Sequence, residues 1–137
     1  MGRRRARRYV LEALYWFESV KDEKIENILE ELFERENETD EETKAYAMRL
    51  AKATVEHLPE IDDVLRKTVK NWDLERIARI DRNILRFAIC EMMYFDEIPP
   101  KVSIDEAIDI AKIYSTEQSG KFVNGILDRV LKEFLTS

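Results

Sequence analysis

The chain has 137 residues, of which 45% are hydrophobic and 38% charged; 23 Lys and Arg stand against 29 Asp and Glu, for a formal net charge of −6. A single cysteine, Cys90, excludes an intrachain disulfide and a multi-cysteine metal site, and no apolar stretch approaches the roughly 20 residues of a membrane span. No apolar signal region follows the basic start, because Glu12 and Glu18 interrupt it, so one soluble cytoplasmic domain over residues 1–137 is expected.

Three Gly, three Pro and no alternating apolar run leave helical spacing nearly everywhere. The spacing predicts seven helices and an all-α fold. The first covers about 3–19, with Ala6, Val10, Ala13, Leu14 and Phe17 as its apolar stripe. The second runs from about 22 to 36. Thr39 and Glu42 make a capping box for the third, whose core positions are Met48, Ala51, Val55 and Leu58. A fourth covers about 60–70. The fifth spans about 73–95 and is apolar around most of its circumference through Ile77, Ile80, Ile84, Leu85, Phe87, Ala88, Ile89 and Met92. Such a helix is usually central. The prolines of "IPPK" stop the chain. Ser103 and Glu106 then form a second capping box, with Ile104, Ala107, Ile108 and Ala111 inside. Thr116 caps the seventh helix, which buries Val123, Ile126, Leu127, Val130, Leu131 and Phe134. Gly125 inside that helix costs roughly 1 kcal/mol, which points to a close helix crossing, and Asn124 is expected to tie loop backbone to helix.

No catalytic or cofactor motif stands out. "SGKF" at 119–122 lacks the leading Gly and the following Ser or Thr of a phosphate-binding loop. His57 is the only histidine and has no spaced partner for a metal. Cys90 reads as a small buried hydrophobe. Neither a cofactor nor a metal is expected, and the chain is not read as an enzyme.

The most informative stretch is the start, "RRRARRYVLEALYWFE". Arg3, Arg4, Arg5, Arg7 and Arg8 crowd a helix N-terminus, which already carries partial positive charge. Each cation there is misplaced by roughly 0.3–1 kcal/mol, so an anion is expected to offset it. Residues 22–42 hold eleven acids against Lys24 and Arg35. That segment repels nucleic acid, so a polyanion must dock elsewhere. On a helical wheel Arg4, Arg8 and Tyr15 share one face, away from the apolar stripe. Arginine holds phosphate bidentately, and an aromatic ring stacks an unpaired base for about 1–3 kcal/mol. The combination favours single-stranded RNA. An ion-paired charge surface and a membrane-lying basic helix are the competing readings of the same cluster, and Glu12, Glu18 and the acidic remainder oppose the membrane.

"RRRARRYVLEALYWFE", "IARIDRNILRFAICEM" at 77–92 and "VSIDEAIDIAKIYSTEQSGKFVNGILDRV" at 102–130 together resemble the NusB transcription antitermination factors, most specifically in the last third. The resemblance implies an all-helical fold of two packed bundles. It implies binding of the boxA element of nascent ribosomal-operon RNA as a heterodimer with the small-subunit ribosomal protein NusE, within a processive RNA polymerase complex. No catalysis is implied. Some RNA cytosine methyltransferases carry a similar domain ahead of their catalytic one; with the chain ending at Ser137, none is expected here. The family's RNA contacts map to Arg3, Arg4, Arg5, Arg7, Arg8 and Tyr15, and to Gln118, Lys121 and Phe122. Some members have an acid where Gln118 stands, and its absence removes a charge that would repel phosphate. Asp81 looks like the family's contact to its ribosomal-protein partner. Asp105 stands where many members have Asn. Self-association, known for some members, is a further way to bury the arginines. The alternatives outside this family are a helical interaction scaffold whose arginine-rich helix docks an acidic protein, and an enzyme acting on RNA.

Overall fold

Residues 2–70 and 73–135 are described by a computed structural model; among them are seven α-helices, one 3₁₀ turn, one terminal π-helical turn and no strand. The all-α class expected from the spacing is the class observed. The chain divides into two compact units, Met1–Glu56 and His57–Ser137.

The first unit holds α1 (Arg3–Ser19), α2 (Ile25–Arg35) and α3 (Glu41–Glu56), and each helix packs on the other two. Ala6, Val10, Ala13 and Leu14 are buried as the stripe predicts, Tyr9 and Leu11 widen it, and Phe17 is only half-buried. The Tyr9 ring meets Phe33 edge-on, 5.0 Å between centroids. On α3 the buried face is Tyr46, Ala47, Leu50, Ala51 and Thr54, so the predicted Met48 and Val55 are displaced to its half-buried flanks. Ala47 and Ala51 have no accessible surface. Their small side chains let α3 approach closely, which turns that face inward. The cap of α3 is Asp40 rather than Thr39. One Asp40 carboxylate oxygen accepts from the Thr43 N–H at 3.0 Å and from the Thr43 hydroxyl at 2.6 Å. Asp40 thereby satisfies a donor of the first turn that the helix itself leaves open.

The second unit holds α4 (Leu58–Val69), α5 (Arg79–Tyr94), α6 (Pro100–Tyr114) and α7 (Glu117–Val130), which continues into a π-helical turn at Leu131–Leu135. The long fifth helix predicted from Asp73 is interrupted. A 3₁₀ turn covers Leu74–Arg76, and Ile77 and Ala78 are extended, at ψ 131° and 139°. The Arg82 guanidinium explains how this break is tolerated. It donates at 3.3 Å to the Ile77 carbonyl, an acceptor that a continuous helix would have satisfied, and at 2.9 Å to the Leu74 carbonyl, which also accepts from the Ile77 N–H at 3.1 Å. The helix α5 is central as expected: it packs on α4, α6 and α7, and Ile84, Leu85, Phe87, Ala88, Ile89 and Cys90 have no accessible surface.

The helix α6 starts at Pro100, three residues before the predicted cap. Proline suits a first helical position because its missing N–H is not needed there. Ser103 is therefore inside the helix, where its hydroxyl donates to the fully buried Glu91 carboxylate at 2.8 Å. Thr116 does cap α7, accepting from the Ser119 N–H at 3.0 Å. Thr116→Ala is expected to cost about 1 kcal/mol, read as a lower urea midpoint with unchanged slope. The predicted burial of Leu131 and Phe134 fails. The wider π turn carries Phe134 out to solvent and leaves Leu131 half-buried. The glycine that marks a close crossing is Gly120, not Gly125. A Cβ at Gly120 would stand 3.0 Å from Lys112 Cγ on α6, whereas one at Gly125 would meet nothing within 4 Å. Asn124 lies mid-helix and exposed, so it ties no loop.

Candidate nucleic-acid interface

The arginine cluster divides into two sets. Arg3, Arg4 and Arg8 are exposed, and Arg4 and Arg8 lie one turn apart on the solvent face of α1, in line with the half-buried Tyr15. Tyr15 stands edge-on to Trp16, 6.4 Å between centroids, and Trp16 is 49% exposed. Tyr15 and Trp16 thus form an aromatic pair nearer the C-terminal end of the same helix. The apolar stripe does not announce Trp16, although the run "YWF" leaves room for only some of its rings to face inward.

Arg5 is exposed as well but is ion-paired within its own unit, and only Arg7 is buried, contrary to its expected place at an open surface. Arg5 Nε donates to Glu38 at 2.7 Å and its Nη2 donates at 3.2 Å to the second carboxylate oxygen. Arg7 is 2% exposed, with its guanidinium carbon 5.8 Å from the centre of the Tyr46 ring. Part of the charge misplaced at the N-terminus is therefore offset internally, from Glu38 in the loop ahead of α3.

Glu38 is the hub of that correction. Its side chain is 7% exposed and also accepts from the Tyr9 hydroxyl at 3.0 Å and the Asp40 N–H at 3.1 Å. These donors, Arg5 foremost, hold its carboxyl at about 2, well below the ordinary 4.5. Burial first, then the Glu38 contact, pushes the Tyr9 phenol up to about 12. A depressed carboxyl favours the ionised form in the folded chain. Its stabilisation is complete above about pH 4.5 and is lost as pH falls toward 2. Melting temperature recorded across that window is expected to fall less steeply in Glu38→Gln than in the parent chain.

The second unit offers its own patch on α7. Gln118 and Lys121 are exposed and Phe122 is half-buried, all within the first two turns. Lys121 and Phe122 border a recess of about 290 Å³, whose other walls are Val69, Gly125, Ile126 and Arg129. The bare Gly125 leaves the space over the helix open. The result is an apolar floor between two cations, suited to a planar ring beside a phosphate. Val69, Gly125 and Arg129 were not foreseen. Arg129 follows Lys121 by two helical turns, a spacing visible in sequence, but Val69 joins only through the packing of α4.

Asp81 lies at the start of α5 and is 7% exposed. One of its carboxylate oxygens accepts from the Ser119 hydroxyl at 3.1 Å, and the other has no hydrogen-bond partner. Burial raises its carboxyl above the usual range, while the Ser119 hydrogen bond opposes that shift. It thus faces α7 rather than solvent, and neither Arg82 nor a lysine holds it. His57 stacks on Tyr94, 4.0 Å between centroids, in keeping with a structural histidine. No group of three His, Cys, Asp or Glu among the described residues could hold a metal, and none of their helices is long and apolar enough to cross a membrane.

The described chain is thus all-helical and displays basic and aromatic side chains on helices of each unit. The NusB family matches residues 4–132, and the chain belongs to that family. It is 42% identical to the transcription antitermination protein NusB of Thermodesulfovibrio yellowstonii, over 97% of this chain and 93% of that one. A solved structure of NusB from T. maritima superposes with a TM-score of 0.87 at 46% identity, covering 96% of this chain and 91% of that one. A crystal structure of the antitermination factors NusB and NusE in complex with double-stranded RNA matches with a TM-score of 0.88 at 28% identity, covering 97% and 98% of the two chains.

Proposed function

We propose that this chain is a transcription antitermination factor that binds the boxA element of nascent ribosomal-operon RNA together with the ribosomal protein NusE. It works in the cytoplasm, within a processive RNA polymerase complex, and catalyses no step. The observation that carries this reading is the exposed Arg4–Arg8 pair aligned with Tyr15 on α1. Family membership and the solved NusB–NusE–RNA assembly support it. That assembly holds double-stranded RNA; the preference for a single strand is this reading's own and rests on Tyr15, Trp16 and Phe122.

Two patches share the work, and residues 1–137 act as one RNA-binding domain. In the first unit Arg3, Arg4 and Arg8 hold phosphates and Tyr15 stacks a base, while Arg5, paired with Glu38 at the surface, and the buried Arg7 add positive potential. In the second, Lys121 holds phosphate, Phe122 borders a base recess, and Gln118 leaves the approach free of negative charge. The partner protein meets the start of α5, whose first turn Asp81 shapes through its bond to Ser119.

The test is a salt titration of binding to single-stranded boxA RNA, its duplex and an unrelated strand, with and without NusE. Tighter binding of the boxA strand, enhanced by NusE, supports the reading. Equal and weak binding of all three, unchanged by NusE, overturns it.

A further inference from the structure

A cleft of about 480 Å³ opens beside the start of α1, lined by Gly2, Arg3, Glu42, Ala45, Tyr46 and Arg49. Glu42, Tyr46 and Arg49 follow one another along a single face of α3, at spacings of four and three. Tyr46 is buried, so its ring is a fixed wall. The Arg3 guanidinium lies over that ring, 4.7 Å from its centre, and that of Arg7 also lies over it, at 5.8 Å. Two guanidinium groups therefore stand against one tyrosine, and Arg49 and one carboxylate, Glu42, line the same cleft. The buried Arg7 is screened little by solvent, so its field reaches into the cleft. The surrounding segment is otherwise rich in acids, which makes this concentration of cations local.

We infer that this cleft is a further phosphate subsite for RNA, in which Arg49 of α3 and Arg3 of α1 grip one backbone phosphate. The inference rests on the RNA-binding reading above and extends the path beyond Arg4 and Arg8. The chemistry fits a phosphodiester better than a base. Arg3 already covers the Tyr46 ring face, which leaves no aromatic platform open for stacking. Two guanidinium groups from different helices can both present planar forks to one phosphate. Arg3 is next to Arg4 in the chain, so a strand held at Arg4 needs no jump to reach the cleft.

The test is fluorescence-anisotropy titration of a labelled single-stranded boxA RNA against the full chain at several salt concentrations. Each phosphate released lowers the log–log slope by about 0.7. Arg49→Ala is expected to flatten the slope by about that much and to weaken binding about tenfold at low salt. Arg49→Lys retains the slope, because a point charge still neutralises the phosphate. Lys52→Ala serves as the control on the same helix, since Lys52 lies near Glu26, at 4.0 Å, and outside the cleft lining; it is expected to leave the slope unchanged. An Arg49→Ala slope equal to that of the parent chain overturns the subsite. If Arg4→Ala/Arg8→Ala loses binding at the same time, the RNA reading survives without it. A parent chain that binds no RNA overturns both.

Discussion

Replacing Arg4 and Arg8 together by alanine is expected to weaken binding to single-stranded RNA about 100-fold at low salt, without unfolding the chain. Each exposed guanidinium contributes a charge-assisted contact worth about 1.5 kcal/mol or more, and 1.4 kcal/mol is about tenfold in affinity. Losing two phosphate contacts also reduces the log–log salt slope by about 1.4. Both side chains are exposed, and surface substitutions away from special features usually change stability by no more than about 0.5 kcal/mol. Equilibrium binding at several salt concentrations, with a melting curve of the same variant, measures both quantities. The same double change at Arg5 and Arg7 should behave differently. Those two are engaged with Glu38 and buried at Tyr46, so their removal lowers the melting temperature first. If Arg4→Ala/Arg8→Ala binds RNA like the parent chain, α1 is not the docking helix, and an acidic protein becomes the better occupant of the arginines.

That contrast also shows what the sequence could and could not reveal. The angular position of Arg4, Arg8 and Tyr15 follows from helical geometry alone, and α1 has the predicted bounds. What engages Arg5 is a carboxylate 33 positions away, at Glu38. No local pattern announces that pairing. The same divide runs through the caps. Thr116 bonds within three residues and was legible. At Asp40, two adjacent side chains were both competent caps, and geometry chose between them. Ser103 followed the capping pattern but belongs to the fully buried Glu91 on a neighbouring helix. The break at Ile77 and Ala78 was hidden because Ile77 stays buried whether extended or helical. Apolar periodicity reports burial and does not see Arg82 taking over the carbonyls. In the α7 recess Lys121, Phe122 and Arg129 share a readable spacing, whereas Val69 arrives only with α4 in place.

The largest stability effect is expected at Arg86, which sets the packing of α4 on α5. Its Nε and Nη2 each donate at 2.9 Å to the two Asp62 carboxylate oxygens, and its Nη1 donates at 3.2 Å to Asn83. The two ion-pair side chains are only 11% and 12% exposed. Removing one partner leaves the other charge buried without its counterion, which typically costs about 3–5 kcal/mol. Arg86→Ala should therefore lower the urea midpoint by more than any single surface change in this chain. Replacing both partners with apolar residues of similar size, Arg86→Met with Asp62→Leu, removes the uncompensated charge as well, and such replacements are often neutral or stabilising. The double variant is thus expected to recover most of the stability that Arg86→Met alone loses. If its loss instead equals the sum of the two single losses, the pair is not coupled, and each side chain matters only for its packing. RNA binding supplies the second readout. Neither Arg86 nor Asp62 belongs to the α7 recess, so the double variant should bind RNA like the parent chain. A folded double variant that had lost RNA binding would mean that the α7 patch depends on the ion pair beneath α4, and the separation drawn here between framework and contact surface would fail.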